Sequence, residues 1–540
     1  MKKAGRILAL SLDVAILCGI FAGCKTQVDT PKQQQSGPSS SEKPYQDKIT
    51  FTISAVDSEK AGVNADGTPA ANFQWLKNKF NIEYEYWPLT WSNYVDQTRV
   101  WLNAGSAPDI MMLDVSASRY NEYLDWVKAG LFRPYDLDSH ENLSATLKTM
   151  PTAEKYKVDG KLYVWPSVSD LAQYDFYQPS GYLYRKDWAK AVGAYKEGDV
   201  YTWDEWWKLV EAVIKQNPGK NGAGKTIGVL TGSDWAFPKY VTGLISPYMV
   251  TFQKKSDGKW VWGPTLPESA DAVAKAKELY DKGLIWANQP MAKADDAKNN
   301  MAAGTLFAST ITNVGVSSWL ADYAQPFEKA NTGIKAEDAI GFAMVKAPDG
   351  KFVSWQGTDH WSETAMNKKI SEKQAARWQD ILDFLISKDG QNFVNYGIPG
   401  TDWEYQDGKV VDKWKTDASG VKVSPVPNAS TWEWRRPAFT NDGFQMLNPA
   451  NPAYMRTVVA DAYKRVGDKS QTTQIPMDPD FSYYTSPTYA SATTGLEKAV
   501  YNEIASLMTS KDIQADWKAW VDQKAKEIQP AIDDLNNNVK

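Results

Sequence analysis

Aromatic side chains with a polar edge are unusually frequent in this chain. Its 540 residues include 24 Trp and 27 Tyr but only 17 Phe. Most of these rings must fill a large core, because burial of aromatic area is a major source of stability. Several could instead form a site for a flat, hydroxylated ligand with apolar faces, and a sugar ring fits that description. The composition therefore favours recognition of carbohydrate by stacking, helped by hydrogen bonds from polar neighbours.

Four candidate ligand-binding residues follow predicted strands in the first part of the chain. Asp57, Trp87, Trp91 and Asp114 lie at or just past the ends of runs that alternate or are continuously apolar. In open α/β sheets, ligands bind beyond the carboxyl ends of the strands. Each residue alone could be a helix cap or a core residue, but as a group they indicate one edge of a ligand cleft.

Four further candidates lie later in the sequence. Trp235 follows the strand-like run 226–230. Trp432 and Trp434 are two residues apart, so an extended backbone would place both rings on one face, with Arg435 beside them. A guanidinium group pairs well with a carboxylate, which suggests an acidic sugar as one version of the ligand.

The sequence gives less support to a catalytic or metal-binding function. Glycoside hydrolysis needs only two carboxylates near a sugar site, so the abundant Asp and Glu leave a carbohydrate-active enzyme as an alternative. The two histidines, His140 and His360, belong to no recognisable catalytic motif, and we expect His140 to lie in a solvated loop. No EF-hand spacing is present. We therefore predict a protein without enzymatic activity, metal or cofactor.

A phosphate-binding motif occurs by sequence at Gly219 to Thr226, which satisfies G-x-x-x-x-G-K-T. A functional P-loop follows a strand and opens a helix whose amides face the phosphates. Here a helix with a capping box, Thr202 with Glu205, precedes the loop, and a strand-like run follows it. The order is reversed, so a surface turn is the better interpretation.

Length and charge limit the remaining possibilities. A chain of 540 residues is too long for one core, so at least two lobes are expected. The formal net charge of −5 argues against a nucleic-acid partner, which requires clustered basic residues. Strands alternate with helices from Ile49 onward, which is typical of an α/β fold.

The N-terminus has the features of an export signal. Lys2, Lys3 and Arg6 precede a mostly apolar run, and Phe21-Ala22-Gly23-Cys24 resembles a bacterial lipobox. Residues 1–24 would then be a signal peptide and Cys24 the lipidated first residue of the mature protein. Asp13 and Phe21 depart from the usual pattern, which leaves a simple secretory signal as the alternative. Residues 25–47 are rich in Ser, Gln, Pro and Lys, and we expect a disordered tether.

Five ordered segments resemble a known family. They are Asp159-Gly160-Lys161-Leu162-Tyr163 continued by Tyr184-Arg185-Lys186-Asp187-Trp188, 102–114 (LNAGSAPDIMMLD), 301–308 (MAAGTLFA), 396–409 (YGIPGTDWEYQDGK) and the closing helices after Ala499. Together they are similar to the extracellular solute-binding lipoproteins of ATP-driven carbohydrate importers, especially their large Gram-positive branch. Pro399 and Trp403 stand where this branch often has an acid and an aromatic residue or His, respectively.

The resemblance implies a two-lobed α/β fold, of the type II periplasmic-binding-protein kind, with several hinge crossings. The N-terminal lobe would contain residues 48–172 and 358–430, and the C-terminal lobe 173–357 and 431–540. It further implies that the segments at Trp165, at Asn313 with Trp319, and at Asp359 with Trp361 face the cleft.

The function implied is capture of an oligosaccharide for an ABC transporter. The partners would be the sugar, the permease subunits and the outer face of the cell membrane through the lipid anchor, and the protein would be a monomer. A secreted glycoside hydrolase or lyase and a peptide or surface adhesion protein are the alternatives.

Overall fold

The computed structural model of the protein describes most of the chain from residue 45 to residue 539. The stretches outside it are 57, 59–61, 65–66, 91–92, 116–118, 170–176, 232–240, 294, 313–314, 317–318, 417–421, 427–438 and 441–449. The side chains of Val168, Ser169, Thr312, Trp361, Phe439 and Thr440 are also outside the described set. No helix within this part of the chain is long and apolar enough to cross a membrane.

The described strands are short and belong to two main sheets and several strand pairs. In chain order they are β1 Ile49–Val56, β2 Ile82–Leu89, β3 Ile110–Leu113, β4 Phe132–Arg133, β5 Lys157–Val158, β6 Lys161–Leu162, β7 Val164–Ser169, β8 Ser180–Arg185, β9 Val200–Tyr201, β10 Ile227–Leu230, β11 Phe252–Lys254, β12 Trp260–Trp262, β13 Leu306–Thr312, β14 Ile340–Val345, β15 Phe352–Trp355, β16 His360–Asn367, β17 Trp403–Gln406, β18 Lys409–Asp412, β19 Phe439–Thr440 and β20 Thr472–Ile475.

The described α-helices surround these sheets. They are α1 Ala71–Phe80, α2 Tyr94–Ala104, α3 Tyr120–Lys128, α4 Glu141–Leu147, α5 Lys186–Ala191, α6 Trp203–Gln216, α7 Pro267–Asp281, α8 Asp296–Ala302, α9 Gln325–Ala330, α10 Ala336–Ala339, α11 Glu372–Ile386, α12 Lys388–Tyr396, α13 Ala453–Gly467, α14 Pro479–Ser482, α15 Pro487–Thr493, α16 Leu496–Leu507 and α17 Ile513–Asn538. The capping box predicted at α6 is confirmed, because the Thr202 hydroxyl accepts the Glu205 N–H and Glu205 accepts the Thr202 N–H.

The first sheet has the strand order β19-β7-β16-β3-β1-β2, with β4 beside β16. β1 is parallel to β2 and β3, whereas β16 is antiparallel to both β3 and β7. The carboxyl ends of β1, β2, β3 and β7 therefore meet the amino end of β16 at one edge. We call this the first-sheet edge. Its central strand, β16, comes from a part of the chain far from its neighbours.

The second sheet has the order β10-β13-β8-β14-β9. β10 and β13 are parallel, so their carboxyl ends also lie at one edge. Strand β8 illustrates that both faces of this sheet are covered. Tyr182 and Tyr184 belong to the core that contains Trp206, and Leu183 belongs to the opposite core that contains Met301. Side chains alternate along a strand, and here both faces are apolar.

A short segment leads from a separate strand pair into the first sheet. β15 pairs with β20 and ends at Trp355, and β16 starts at His360, so residues 356–359 carry the chain from this pair to the first sheet. The Gln356 N–H donates to the Ile475 carbonyl at 2.9 Å, and its side-chain oxygen accepts the Met477 N–H at 3.0 Å. The predicted lobe boundaries near 172 and 430 fall in stretches outside the described residues.

Pro166 lies inside a strand, a position at which proline usually interrupts the hydrogen-bond ladder. β7 continues through it to Ser169, with Pro166 opposite Glu363 of β16. On the other side, β19 pairs with β7 only at Val168 and Ser169. The missing N–H of Pro166 therefore removes no ladder bond to β19, which is the usual reason that proline is excluded from a strand.

His140 is buried, so its prediction as a solvated residue is wrong. Only 8% of its surface is exposed, and it occupies the N-cap position of α4. Its Nδ1 lies 2.7 Å from the Asp136 carbonyl, and its Nε2 lies 3.4 Å from Asp380 of α11. The residue ties a loop to a helix of the same lobe, which is a structural role.

Candidate functional site

The first-sheet edge collects several polar residues that the sequence points to. Asp114 directly follows β3, and Asp359 directly precedes β16. Because β16 is antiparallel to β3, with Glu363 opposite Leu113, these two carboxylates belong to the same edge. Ligands of open α/β sheets bind beyond such an edge, so it is the candidate site on the first lobe.

Asp114 is held by partners from its own lobe. The Tyr94 hydroxyl donates to its Oδ2 at 2.7 Å, and the Arg119 guanidinium donates to the same oxygen and to the Asp114 carbonyl. The carboxylate side chain is only 6% exposed, whereas that of Arg119 is 28% exposed. Asp114 thus positions Arg119 at the edge, and the guanidinium is the more accessible of the two groups.

Asp359 lies inside the first lobe. It is 4% exposed, its Oδ2 accepts the Thr152 N–H at 2.8 Å, and its Oδ1 lies 2.7 Å from the Nδ1 of His360. The Thr152 hydroxyl donates to the same Oδ1. Internal donors therefore already occupy both carboxylate oxygens of Asp359, for which the sequence predicted contact with a ligand.

Behind Asp359 lies a fully buried pair, His360 and Glu363. The Nε2 of His360 is 3.2 Å from the Oε1 of Glu363, and neither side chain is exposed to solvent. Glu363 also accepts the Tyr156 hydroxyl at 2.8 Å and, through Oε2, the Val115 N–H at 2.8 Å. This last bond ties β16 to the end of β3. We call Asp359, His360 and Glu363 the buried triad.

The triad favours a charged imidazole. Burial by itself would lower the pKa of His360, but hydrogen bonds to Asp359 and Glu363 and their negative charges raise it to about 9. Burial likewise acts to raise the pKa of Asp359, yet the adjacent His360 and Thr152 bring that pKa below its ordinary value. Both ring nitrogens face carboxylate oxygens, which is the arrangement expected for an imidazolium ion.

The triad predicts a loss of stability at alkaline pH. A His with a raised folded pKa stabilises fully below its unfolded pKa of about 6.5, and this contribution is lost as pH rises to about 9. The difference between the unfolded and folded pKa values of His360 corresponds to roughly 3 kcal/mol of free energy of unfolding, at about 1.4 kcal/mol per pKa unit. Urea unfolding at pH 6, 7.5 and 9 should show the decline. The variant His360→Gln should show a flatter profile, and an equally steep one would refute the assignment.

The described tryptophan candidates fall into two groups. Trp87, near the end of β2, is partly exposed and packs edge-on against Trp101 of α2 at 5.3 Å. Trp165 and Trp319 are at most 1% exposed and belong to the cores of the first and second lobes. Trp165 contacts Tyr135, and Trp319 contacts Tyr454. Only Trp87 of these three has a ring face near solvent.

The remaining candidates are outside the described residues: Asp57, Trp91, Trp235, Asn313, Trp432, Trp434 and Arg435. The backbone of Trp361 is part of β16, but its side chain is outside the described set. These predictions stay predictions.

A second connection between the lobes was not expected from the sequence. Phe481 stacks on Trp260 in the second lobe with ring centroids 4.6 Å apart, and Tyr483 packs edge-on against Tyr120 in the first lobe at 5.5 Å. The carboxylate of Asp480 is 2.8 Å from the Lys155 ammonium group. We call residues 480–483 the interlobe clasp. It places one short segment in contact with both cores.

Sequence reasoning missed Tyr94, Arg119, Tyr156 and Glu363. Nothing in the mixed run that forms β16, HWSETAMN, singles out Glu363 as a buried residue. The others were hidden because a helix or loop brings them to the edge from elsewhere in the chain. Among the residues that the structure describes, no group of three or more His, Cys, Asp or Glu could hold a metal ion.

The chain is similar in sequence to two proteins of Bacillus subtilis (strain 168). Lipoprotein LipO is 27% identical over 339 residues, which cover 59% of this chain and 62% of LipO. The polygalacturonan/rhamnogalacturonan-binding protein YtcQ is 23% identical over 484 residues, which cover 84% of this chain and 88% of YtcQ. The chain thus spans less than two thirds of LipO and most of YtcQ. No family model matches it.

Solved structures share the fold over nearly the whole chain. The alginate-binding protein AlgQ2 superposes with a TM-score of 0.63 at 17% identity, covering 91% of this chain and 98% of AlgQ2. The Streptococcus pneumoniae substrate-binding protein FusA, solved with kestose, gives 0.64 at 14% identity, covering 90% and 99%. The predicted fold class is confirmed. The chain has the two-lobed α/β fold of the substrate-binding proteins of ABC transporters, in agreement with the resemblance found in its sequence.

Proposed function

We propose that the protein captures an oligosaccharide outside the cell and delivers it to the permease of an ABC transporter. The observation that carries this proposal is the similarity to YtcQ over 484 residues, combined with a fold found in AlgQ2 and FusA. The surplus of Trp and Tyr supports the same ligand class, because their rings stack on the faces of sugars. The protein binds its ligand without altering it.

The ligand we propose is acidic, with uronate groups. The names of YtcQ and AlgQ2 both describe binders of uronate-containing polysaccharides. Arg185 could also pair with a carboxylate by its charge, but it is 5% exposed, bonded to Asp187 and close to the rings of Trp188 and Phe327. It is occupied structurally, so Arg435 is the remaining candidate.

Lobe closure would accompany binding. A ligand that contacts both lobes stabilises the closed state relative to the open one and so shifts the balance between them. The segment 356–359 would act as a hinge, with the lobes divided at 172/173, 357/358 and 430/431 as the sequence resemblance implies. The buried triad begins at the last residue of this hinge, Asp359, and its hydrogen bonds to Thr152 and Val115 would hold the first-sheet edge in place.

The test is calorimetry with oligogalacturonates, alginate oligosaccharides and neutral fructo- and malto-oligosaccharides, followed by analysis of reducing ends. Saturable binding of an acidic oligosaccharide with no new reducing ends or unsaturated products is the expected result. A preference for neutral sugars would contradict only the proposal that the ligand is acidic, and would leave oligosaccharide binding in place. Release of products would favour the hydrolase or lyase, and no binding of any saccharide would favour an adhesion protein.

The membrane anchor gives a separate prediction. We propose that Cys24 carries the lipid, in keeping with the name of LipO, and that the protein stays at the outer face of the membrane. In the variant Cys24→Ser the protein, once cleaved to its mature mass, should move from the membrane fraction to the culture medium. The matched variant Cys18→Ser should fractionate like the natural protein. Equal membrane retention of both variants would contradict lipidation at Cys24.

A further inference from the structure

A cavity of about 450 Å³ lies beside the second sheet. Its lining includes Ile227, at the start of β10, and Thr305, just before β13. The carboxyl ends of these two parallel strands, beyond which ligands of open sheets bind, lie at the opposite edge. The cavity is therefore a separate place on the molecule, and its volume is within the range of small-molecule sites.

The loop that satisfies the phosphate-binding pattern forms one wall of this cavity, through Gly224, Lys225 and Thr226. Hydrogen bonds fix the loop. The Thr226 hydroxyl donates to the Asn217 side chain at 2.6 Å, and the Asn221 amide donates to the Thr226 hydroxyl at 3.1 Å and to the Gly304 carbonyl at 3.2 Å. The wall is thus held in place before any ligand arrives, which lowers the cost of binding.

Two aromatic rings form another wall. Tyr280 and Trp286 are both partly buried, and the Tyr280 hydroxyl donates to the Ala287 carbonyl, which fixes its ring. The side chains of Asn300 and Thr305 add polar atoms and are bonded to each other at 3.0 Å. Rings beside amide and hydroxyl groups are the combination that suits a saccharide.

Two donors of the lining are available to a ligand. Lys225 is exposed and Trp286 is partly buried, and across the described residues neither the Lys225 ammonium group nor the Trp286 indole N–H has a protein hydrogen-bond partner. The lining contains no Asp or Glu to compete for the Lys225 cation, so the cavity favours a ligand that carries an anionic group on a ring. A phosphate held as in a P-loop is disfavoured, since α6 precedes the loop and β10 follows it.

We infer that this cavity is a second saccharide site, specific for a uronate residue, with Lys225 pairing with the carboxylate and Trp286 stacking on the ring. The ligand class rests on the proposed function. Two separated uronate sites on one protein would let it hold a polymer chain at one point while the cleft engages its end.

The experiment is calorimetric titration of the full-length mature protein with trigalacturonate, with maltotriose and inorganic phosphate as comparison probes. Two binding events are expected, and Lys225→Glu should weaken only one of them, by at least tenfold. Lys220→Glu is the matched control, because Lys220 has the same charge, is exposed in the same loop and does not line the cavity. Melting temperatures should agree among the three proteins.

A second measurement tests the assignment directly. The NMR signal of the Trp286 indole N–H, identified from its loss in Trp286→Phe, should shift when trigalacturonate is added but not when maltotriose is added. One binding event that Lys225→Glu leaves unchanged, with an unmoved Trp286 signal, would overturn the second site and leave the proposed function intact. Phosphate binding that Lys225→Glu abolishes would overturn the saccharide class. Absence of any trigalacturonate binding, including at the cleft, would count against the acidic version of the proposed function itself.

Discussion

Replacement of Glu363 by Gln is expected to lower the free energy of unfolding by about 3 kcal/mol, near the range for breaking a buried ion pair. Glu363 is completely buried and lies 3.2 Å from the imidazole of His360. Its oxygens accept the Tyr156 hydroxyl and the Val115 N–H. The neutral amide removes the charge opposite the imidazolium and turns one acceptor into a donor that faces other donors. Denaturant unfolding at pH 7 measures the loss.

The matched control is Glu372→Gln. That carboxylate pairs with Arg133 at 2.6 Å but its side chain is 90% exposed, so little change is expected. Glu363→Gln should also flatten the decline in stability between pH 6.5 and 9, since His360 loses one of the two charges that raise its pKa. A variant as stable as the natural protein at pH 7 would show that the triad contributes no ion-pair energy.

Truncation of Trp434 to Ala is expected to weaken oligosaccharide binding by roughly 30-fold, which corresponds to about 2 kcal/mol for an aromatic residue at the centre of an interface. The reason is the spacing of Trp432 and Trp434, which would put both rings on one face if the backbone there were extended. Trp434→Phe keeps a ring and should recover most of the affinity. Calorimetry with the ligand identified in the saccharide screen gives the dissociation constants.

The double variant Trp432→Ala/Trp434→Ala makes this prediction easy to reject. If the dissociation constant and the melting temperature both match those of the natural protein, the two rings do not touch the ligand. The cleft would then have to be sought around Trp87, the partly exposed tryptophan near the end of β2. Affinity lost together with a lower melting temperature calls for the Phe variants, which separate packing from contact with the sugar.

Local sequence patterns predicted most of the secondary structure. Alternation predicted a strand at 49–54, found as Ile49–Val56, and helical spacing followed by Gly105 predicted the end of α2. Gly105 has φ of 66°, the left-handed geometry of a C-cap glycine. These features depend on neighbours within about four residues, and that information is present in any single stretch of the sequence.

Errors arose where distant parts of the chain decide the outcome. Pro166 stays in a strand because β19, more than 270 positions later, pairs only beyond it. Asp359 is turned inward because Thr152 and His360 hold its oxygens. Helix α11 begins at Glu372, where Ser371 and Gln374 form a capping box. The sequence pattern alone does not distinguish the core tryptophans Trp165 and Trp319 from surface tryptophans, because it does not show which faces other elements cover.

The position of β16 in the first sheet has a consequence for biogenesis. This strand lies between β3 and β7, yet its Glu363 bonds a residue 248 positions earlier, at Val115. The sheet cannot close until that late segment has left the ribosome, and contacts of such long range form slowly. If the protein is exported as proposed, we expect the newly made polypeptide to remain loosely folded for long enough to pass through an export channel and to acquire its compact shape on the far side.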